Sequence, residues 1–448
     1  MSPSGSLKRL YAAAVRFAAG HDLPRLAALL ILPAFRTLKP ATAADALTVV
    51  ILPKEGFTED VMTALADAGA VKVVALPRII VKLLAAPLLP YFIDDNNYAS
   101  AGAEHYAAKL RYRHFLVAVF EAVLRVKRID AMITGNFSYA TERELASAME
   151  ELKVPFIALH KENLKTPGRV EFFERVYRER RGPFAGRKIL VYNEIERELQ
   201  IRAGVAEAGR IAITGMPRLD RMHRWRRAHV GEARRNRILF FVFFSATGMP
   251  RVVRKGETAG QVWFEDDERE VGDISLAKLS QGTCAALVQL AQDNPDIEVM
   301  VKSKGRRRDL NETAALFGFA GEAELPPNMH VVHGGDVLDL IAEASVVCGF
   351  NSTALLEAAA AGKPVVMPWF AEAEMPEVLP YLIDLRAIST AATSPDKLRE
   401  ALIRGALEGR PVPAELDAEV TTTLAVWTGN ADGQAGARTR DAILREIR

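Results

Sequence analysis

Short, uninterrupted apolar runs alternate with helical stretches along most of this chain, and they do so in two successive series. The first series runs through Leu47–Leu52 (LTVVIL), Val71–Leu76, Ala131–Thr134, Pro155–Leu159, Ile189–Tyr192 and Ile211–Thr214. The second runs through Ile238–Phe244 (ILFFVFF), Glu298–Val301, Ser345–Cys348 and Pro364–Met367. Strands that are apolar on both faces need cover on both faces, which a parallel sheet flanked by helices supplies. Helices are predicted at Phe57–Gly69, Leu276–Asp293, Asp336–Glu343 and Thr353–Ala361, and mostly helix from Ser394 onward. A chain of 448 residues has room for two or three domains of ordinary size.

The expected fold is therefore α/β, with two doubly wound Rossmann-like domains facing a cleft and a helical C-terminal tail. The predicted divisions are a basic, apolar helical region at 1–45, a first domain at 46–225, a second at 226–393 and the tail at 394–448. Ligands of this architecture bind between the carboxyl ends of the strands, at helix N-termini and switch points.

Charge and composition exclude several classes. Lys plus Arg number 58 against 56 acids, so a basic coat for nucleic acid is not expected. Cys284 and Cys348 are too few for a disulfide framework or a cysteine zinc cluster, and they fit a reducing compartment. No apolar stretch approaches the ~20 residues of a membrane span, and no convincing signal peptide is present, so the expected location is the cytoplasm. Near the start, Lys8, Arg9, Arg16, Arg25, Arg36 and Lys39 face only Asp22, with Leu7, Leu10, Tyr11, Ala14 and Phe17 at roughly helical spacing. Two readings stay open: a helix on an anionic membrane surface, or a helix packed on its own domain. Arg78–Tyr91 repeats the basic and apolar mix, and suits peripheral contact at the inner face of a membrane or a dimer contact.

The richest stretch is Asp336–Pro368, read as helix, strand, tight loop, helix and strand. In the loop Gly349-Phe350-Asn351-Ser352-Thr353, Gly349 permits a tight turn and Ser352 or Thr353 can cap the next helix. Free amides at that helix start attract phosphate, and Glu357, one turn deeper, can accept hydrogen bonds from ribose hydroxyls. Lys302 follows a strand and points into the cleft, heading a basic run with Lys304, Arg306, Arg307 and Arg308. His333-Gly334-Gly335 is either a loop near the base or a surface turn. The whole stretch resembles the nucleotide-binding half of glycosyltransferases of the two-Rossmann-domain GT-B fold, and the matching half of sugar-nucleotide 2-epimerases. The resemblance implies that Ser352 and Thr353 touch a donor diphosphate and that Glu357 touches the ribose, with Gly349, Asn351 and Lys302 around them.

In the first half, His160 and Glu162 follow a buried strand. There a histidine can act as general base and a carboxylate can orient it. The string His160–Thr166 (HKENLKT) is similar to the His-x-Glu-x-x-Leu-Arg-Thr motif of sugar-nucleotide 2-epimerases, departing from it at Asn163 and Lys165 and by one residue fewer between Glu162 and Leu164. Thr134–Ser138 is a further strand-to-loop junction. Thr214–Asp220 (TGMPRLD) resembles a Thr-Gly-x-Pro-x-x-Asp hinge of surface-carbohydrate proteins, with Arg218 reaching the cleft. The eight arginines of Arg218–Arg237 read as a solvated helix and linker or as an anion-binding surface. Asp94-Asp95-Asn96-Asn97 reads as a solvated turn, and Ser245–Ser275 as a long loop.

The resemblance covers roughly residues 130–370 and implies a metal-independent glycosyltransferase. It would move a sugar from a nucleotide-activated donor to a surface-polysaccharide or lipid-linked acceptor. His160 and Glu162 would be its catalytic pair, and the nucleotide-sugar would be a substrate with no separate cofactor. A UDP-sugar 2-epimerase, a CDP-polyol phosphotransferase and a non-catalytic scaffold of polysaccharide assembly are the alternatives.

Overall fold

The computed structural model describes residues 5–95, 97–99, 105–245, 247–248, 275–303 and 310–447. Its first sheet has seven strands: β1 (Arg36–Lys39), β2 (Leu47–Ile51), β3 (Val71–Ala75), β4 (Ala131–Thr134), β5 (Phe156–Leu159), β6 (Lys188–Val191) and β7 (Ile211–Ile213). Their order is β1-β3-β2-β4-β5-β6-β7, all parallel except β1, which runs antiparallel to β3. The central strands β4 and β5 are buried at every residue, as their apolar sequences require. Strand β1 lies within the region expected to be helical. Its Arg-Thr-Leu-Lys sequence carries no strand signal, and cations of this kind suit an exposed sheet edge.

The first domain's helices are α1 (Gly5–Gly20), α2 (Pro24–Ile31), α3 (Phe57–Leu65), α4 (Arg78–Ala85), α5 (Tyr106–Leu124), α6 (Ala140–Glu151), α7 (Pro167–Arg175) and α8 (Glu194–Arg202). Helix α9 (Leu219–Ala228) then leads into the second sheet. That sheet comprises β8 (Arg237–Phe241), β9 (Glu298–Lys302), β10 (Met329–Val332), β11 (Val346–Cys348), β12 (Val365–Pro368) and β13 (Thr390–Ala392). The order is β10-β9-β8-β11-β12-β13, all parallel. Between its strands lie α10 (Ala277–Asp293), α11 (Leu310–Leu316), α12 (Val337–Glu343) and α13 (Thr353–Ala360). The order in which strands are added reverses between β2 and β4 in one sheet and between β8 and β11 in the other. These are the two switch points where such sheets bind ligands.

The tail is helical, and its helices divide between the domains. Helix α14 (Pro395–Glu408) packs on the second sheet through Leu398, Ala401 and Leu402, and α15 (Ala418–Thr428) adds Leu424 to the same core. Helix α16 (Ala435–Ile447) returns to the first domain, where Ala442 and Ile443 join Phe57, Val61 and Leu65 of α3. The chain thus crosses between domains twice, and the two crossings are hydrogen-bonded to each other. Met216 N donates to Thr428 O at 2.9 Å, and Asn430 Nδ2 donates to Met216 O at 2.9 Å. Buried Asp220 accepts from the Ala435 and Gly436 amides at 3.1 and 2.8 Å, capping α16. Gly429 is required here: its φ is +61°, and a Cβ would lie 1.8 Å from Tyr192 O.

Candidate functional site

The second switch point is built by the loop after β11. Ser352 caps α13, its Oγ accepting from Ala354 N at 3.3 Å, and Ser352 and Thr353 are half-buried at the helix start. Asn351 has φ +49°, a left-handed conformation that asparagine tolerates better than most residues. Its side chain is turned to the protein. Oδ1 accepts from Ile383 N at 2.9 Å, and Nδ2 donates to Tyr381 O at 3.2 Å. Asn351, expected to contact a ligand, therefore braces the loop against the Leu379–Ile383 segment. Gly349 packs tightly, since a Cβ there would meet Leu355 at 3.2 Å and Phe241 at 3.4 Å.

Lys302 ends β9, which β8 separates from β11 in the sheet, and its Nζ donates to Ser303 O at 2.8 Å. Burial lowers its pKa, and Glu55 of the first domain pulls the other way. Lys304, Arg306, Arg307 and Arg308 lie outside the described residues, as do Asn96 and most of the Ser245–Ser275 loop. Asp336 caps α12 after the His333–Gly335 turn, accepting from Leu338 N at 2.9 Å.

Arg218, at the first crossing, reaches both domains. Its Nη1 donates to Asp60 Oδ2 and to Tyr192 Oη at 3.0 Å each, and its Nε stands 3.5 Å from Glu357 Oε1. Burial disfavours the Arg218 charge, but Asp60, Tyr192 and Glu357 outweigh it and hold the guanidinium firmly protonated. Burial pushes the Glu357 carboxyl up, with Arg218 opposing. One turn on, Arg221 donates to Glu59 at 2.7 Å and to Asp336 at 2.6 Å, a second link across the cleft.

On the first domain, His160 and Glu162 differ in burial. His160 is wholly buried, with Nε2 3.1 Å from Glu196 Oε1 and its ring 5.3 Å from Phe137. Glu162 is exposed and accepts from Asn136 Nδ2 at 3.2 Å. Burial of this carboxyl acts upward, but His160, Arg181, Lys165 and Lys54 overcome it and hold the pKa below the usual range. The loop between them is pinned from inside. Asn163 Oδ1 accepts from Tyr192 N at 2.9 Å and its Nδ2 donates to His160 O, while Lys165 donates to Glu162 O and stands 3.5 Å from Glu196 Oε2. The two departures from the epimerase motif thus fall on buried bracing residues. The group that meets solvent is Glu162, with His160 behind it.

Two cavities open near these groups. One of about 520 Å³ lies between the domains, walled by Trp369, Leu379 and Trp427, with Lys165 at its edge. The other, about 620 Å³, belongs to the first domain alone, beside the β2/β4 switch point. Lys54, Arg78 and Lys82 line it around the Tyr139 ring. Lys54 Nζ donates to Tyr139 Oη at 2.6 Å, and the Arg78 guanidinium lies 3.7 Å over the ring and pairs with buried Glu142. Burial first, and Lys161 next, lower the Lys54 pKa.

Several of these groups are invisible in the sequence. Glu196 sits in a charged helical stretch, Asp60 in a helix that carries no motif, and Lys54 precedes that helix. Only a fold that brings distant strand ends together reveals them.

No family model matches the chain, and no curated protein matches it. Solved structures of similar shape include UDP-GlcNAc 2-epimerase from Neisseria meningitidis, at 10% identity and TM-score 0.45, covering 89% of this chain and all of that one. The glycotransferase of kitacinnamycin gives 16% identity and TM-score 0.45, covering 91% of this chain and 100% of that one. An α,α-trehalose-phosphate synthase from Burkholderia vietnamiensis gives 14% and 0.45, covering 90% and 98%.

Proposed function

We propose that the chain is a glycosyltransferase that moves a sugar from a nucleotide-activated donor to a surface-glycan or lipid-linked acceptor. The observation that carries this reading is a ligand-sized cavity in the first domain that stands apart from the capped helix start at the second switch point. The second domain offers the capped start of α13 with Lys302 and Glu357. The first domain offers an independent cavity of about 620 Å³. A transferase needs room for two substrates, whereas an epimerase needs room for one.

In this reading the donor diphosphate lies at the α13 N-terminus and Lys302. Their positive field stabilises the nucleoside diphosphate as the bond from the sugar's anomeric carbon to phosphate breaks. The ribose hydroxyls meet Glu357, which they share with Arg218. The acceptor oxygen forms the new bond to the anomeric carbon, and its proton passes to Glu162. That carboxylate is exposed and held ionised by its cationic neighbours. His160 acts behind it as a positioning residue.

A thermal-shift screen against UDP-, GDP-, CDP- and CMP-sugars, with and without magnesium, tests the donor half. A ligand at 100 times its Kd adds about 2.7 kcal/mol of stability. The reading expects a shift with one nucleotide class that is lost in Glu357→Ala. Absence of any shift sinks it in favour of the scaffold. Conversion of the donor sugar to its 2-epimer without acceptor sinks it in favour of the epimerase.

A further inference from the structure

Much of the exposed large apolar surface of the described residues gathers on one side of the first domain. Leu7, Leu10 and Phe17 lie along one face of α1, with Leu10 68% exposed. The buried face of that helix, Val15, Ala18 and Ala19, joins the domain core. Leu26 and Leu29 project from α2, with Leu29 66% exposed. Helix α1 packs on both α2 and α4, and its end meets Pro87. Ile79 and Tyr91, the latter 81% exposed, lie on the 78–91 segment that α1 packs against.

The charge around this face is one-sided. Lys8, Arg9, Arg16 and Arg25 are exposed beside it, and Asp22 is the only acid in residues 5–31. An exposed apolar helix face set among cations marks an interaction site. A second copy placed face to face would bring four cations against four, so self-association is disfavoured. An anionic bilayer matches both components: acyl chains for the leucines, and headgroups for the cations. No helix among the described residues is long and apolar enough to cross a membrane, so the face would lie on the bilayer.

The 620 Å³ cavity is lined by the same 78–91 segment that α1 packs against. Exposed Tyr91 lines this cavity, as do exposed Lys82 and the paired Arg78. Asp94 and Asp95 line it too. Asp95 is engaged by the Ala140 amide at 2.7 Å, and the Asp94 amide donates to Asn97 Oδ1 at 2.8 Å. Lys54 has no carboxylate within ion-pair distance among the described residues. We infer that the α1–α2–Tyr91 face seats on an anionic bilayer, and that the adjoining cavity receives the phosphate of an amphiphile drawn from it. This inference rests on the transferase reading, and it names the acceptor class as a membrane-borne phosphate ester.

Vesicle co-sedimentation of the full chain tests the surface, using phosphatidylcholine alone and phosphatidylcholine with about a third phosphatidylglycerol. Binding is expected only to the anionic vesicles, weakened by salt and lost in Leu10→Glu/Phe17→Glu. These are exposed positions whose exchange leaves the core intact. Equal binding to both vesicles, binding to neither, or a dimer in light scattering that the same double variant abolishes would each overturn the surface assignment. For the cavity, the probes are geranyl phosphate, geraniol and inorganic phosphate in a thermal-shift assay. A shift with geranyl phosphate alone, lost in Lys54→Met, is expected. An equal shift with inorganic phosphate makes this a free-phosphate site, and no shift with any probe overturns it. Nucleotide-sugar binding is measured on the same samples. Its absence alone removes the transferase reading while the vesicle result stands, and the reverse pattern removes only the bilayer.

Discussion

Arg218 stands between Asp60 of the first domain and Glu357 of the second, with Nη1 3.0 Å from one carboxylate and Nε 3.5 Å from the other. Asp60 is fully buried and Glu357 nearly so, so this guanidinium is the counter-charge for two carboxyls out of water. Removing one partner of a buried ion pair leaves the other uncompensated. Arg218→Ala should therefore cost about 3–5 kcal/mol in urea unfolding. Arg218→Lys keeps the charge without the planar fork and should lose less. If both variants unfold like the parent, Arg218 does not carry this burden.

Glu196 gives a prediction in pH. Burial alone would raise its carboxyl, but Lys165, then His160, with hydrogen bonds from His160 and Gln200, bring it from the ordinary 4.5 down to about 2. A folded pKa below the unfolded one stabilises the native state fully above the unfolded value. The contribution fades as pH falls from about 4.5 toward 2. The size is about 3 kcal/mol at most. Glu196→Gln should lower stability at neutral pH and flatten the acid limb between those values. A parallel, merely shifted acid profile in denaturant titrations would contradict the assignment.

Two left-handed glycines separate backbone strain from collision. Gly429 has φ +61° and a Cβ there would strike Tyr192 O, whereas Gly204 has φ +68° and open space around it. Gly204→Ala should cost about 1 kcal/mol, the left-handed penalty alone. Gly429→Ala adds a collision with rigid backbone and should cost more than about 3 kcal/mol. Equal losses in thermal unfolding would mean the crossing has room to shift.

Asn351 predicts a local effect at a distance in sequence. Its Oδ1 holds the Ile383 amide at 2.9 Å. Asn351→Gly keeps the left-handed backbone but drops that bond, at about 1 kcal/mol, and Asn351→Ala adds backbone strain. In both variants the Ile383 amide should exchange its hydrogen faster than in the parent. Unchanged exchange there would show that the brace is held by other contacts.

How far the sequence reveals this molecule depends on how local each cause is. The buried strands are legible because Leu47–Ile51 or Ala131–Thr134 must be covered on both faces wherever they occur. Strands β10 and β13 are short edges with exposed positions, and their pairing supplies what their composition does not. Ser352 as a cap is legible because a cap acts within three residues. The role of Asn351 depends on Tyr381 and Ile383, about thirty residues away, and no local pattern carries that. His160 reads as a loop histidine at a strand end. It is buried because Glu196 arrives beneath it from a helix whose sequence, Glu194–Arg202, looks like a solvated surface.

The return of α16 to the first domain has a consequence for synthesis. The last strand of that domain ends at Ile213, yet the outer side of α3 is covered by residues from 435 onward. A nascent chain emerges in order, so the first domain waits, one flank open, while the second is being made. The strands of the second sheet and its packing helices α10 to α15 all fall between Arg237 and Thr428. The half of the molecule that is translated second is thus the half able to finish first, reversing the usual N-to-C order of domain maturation.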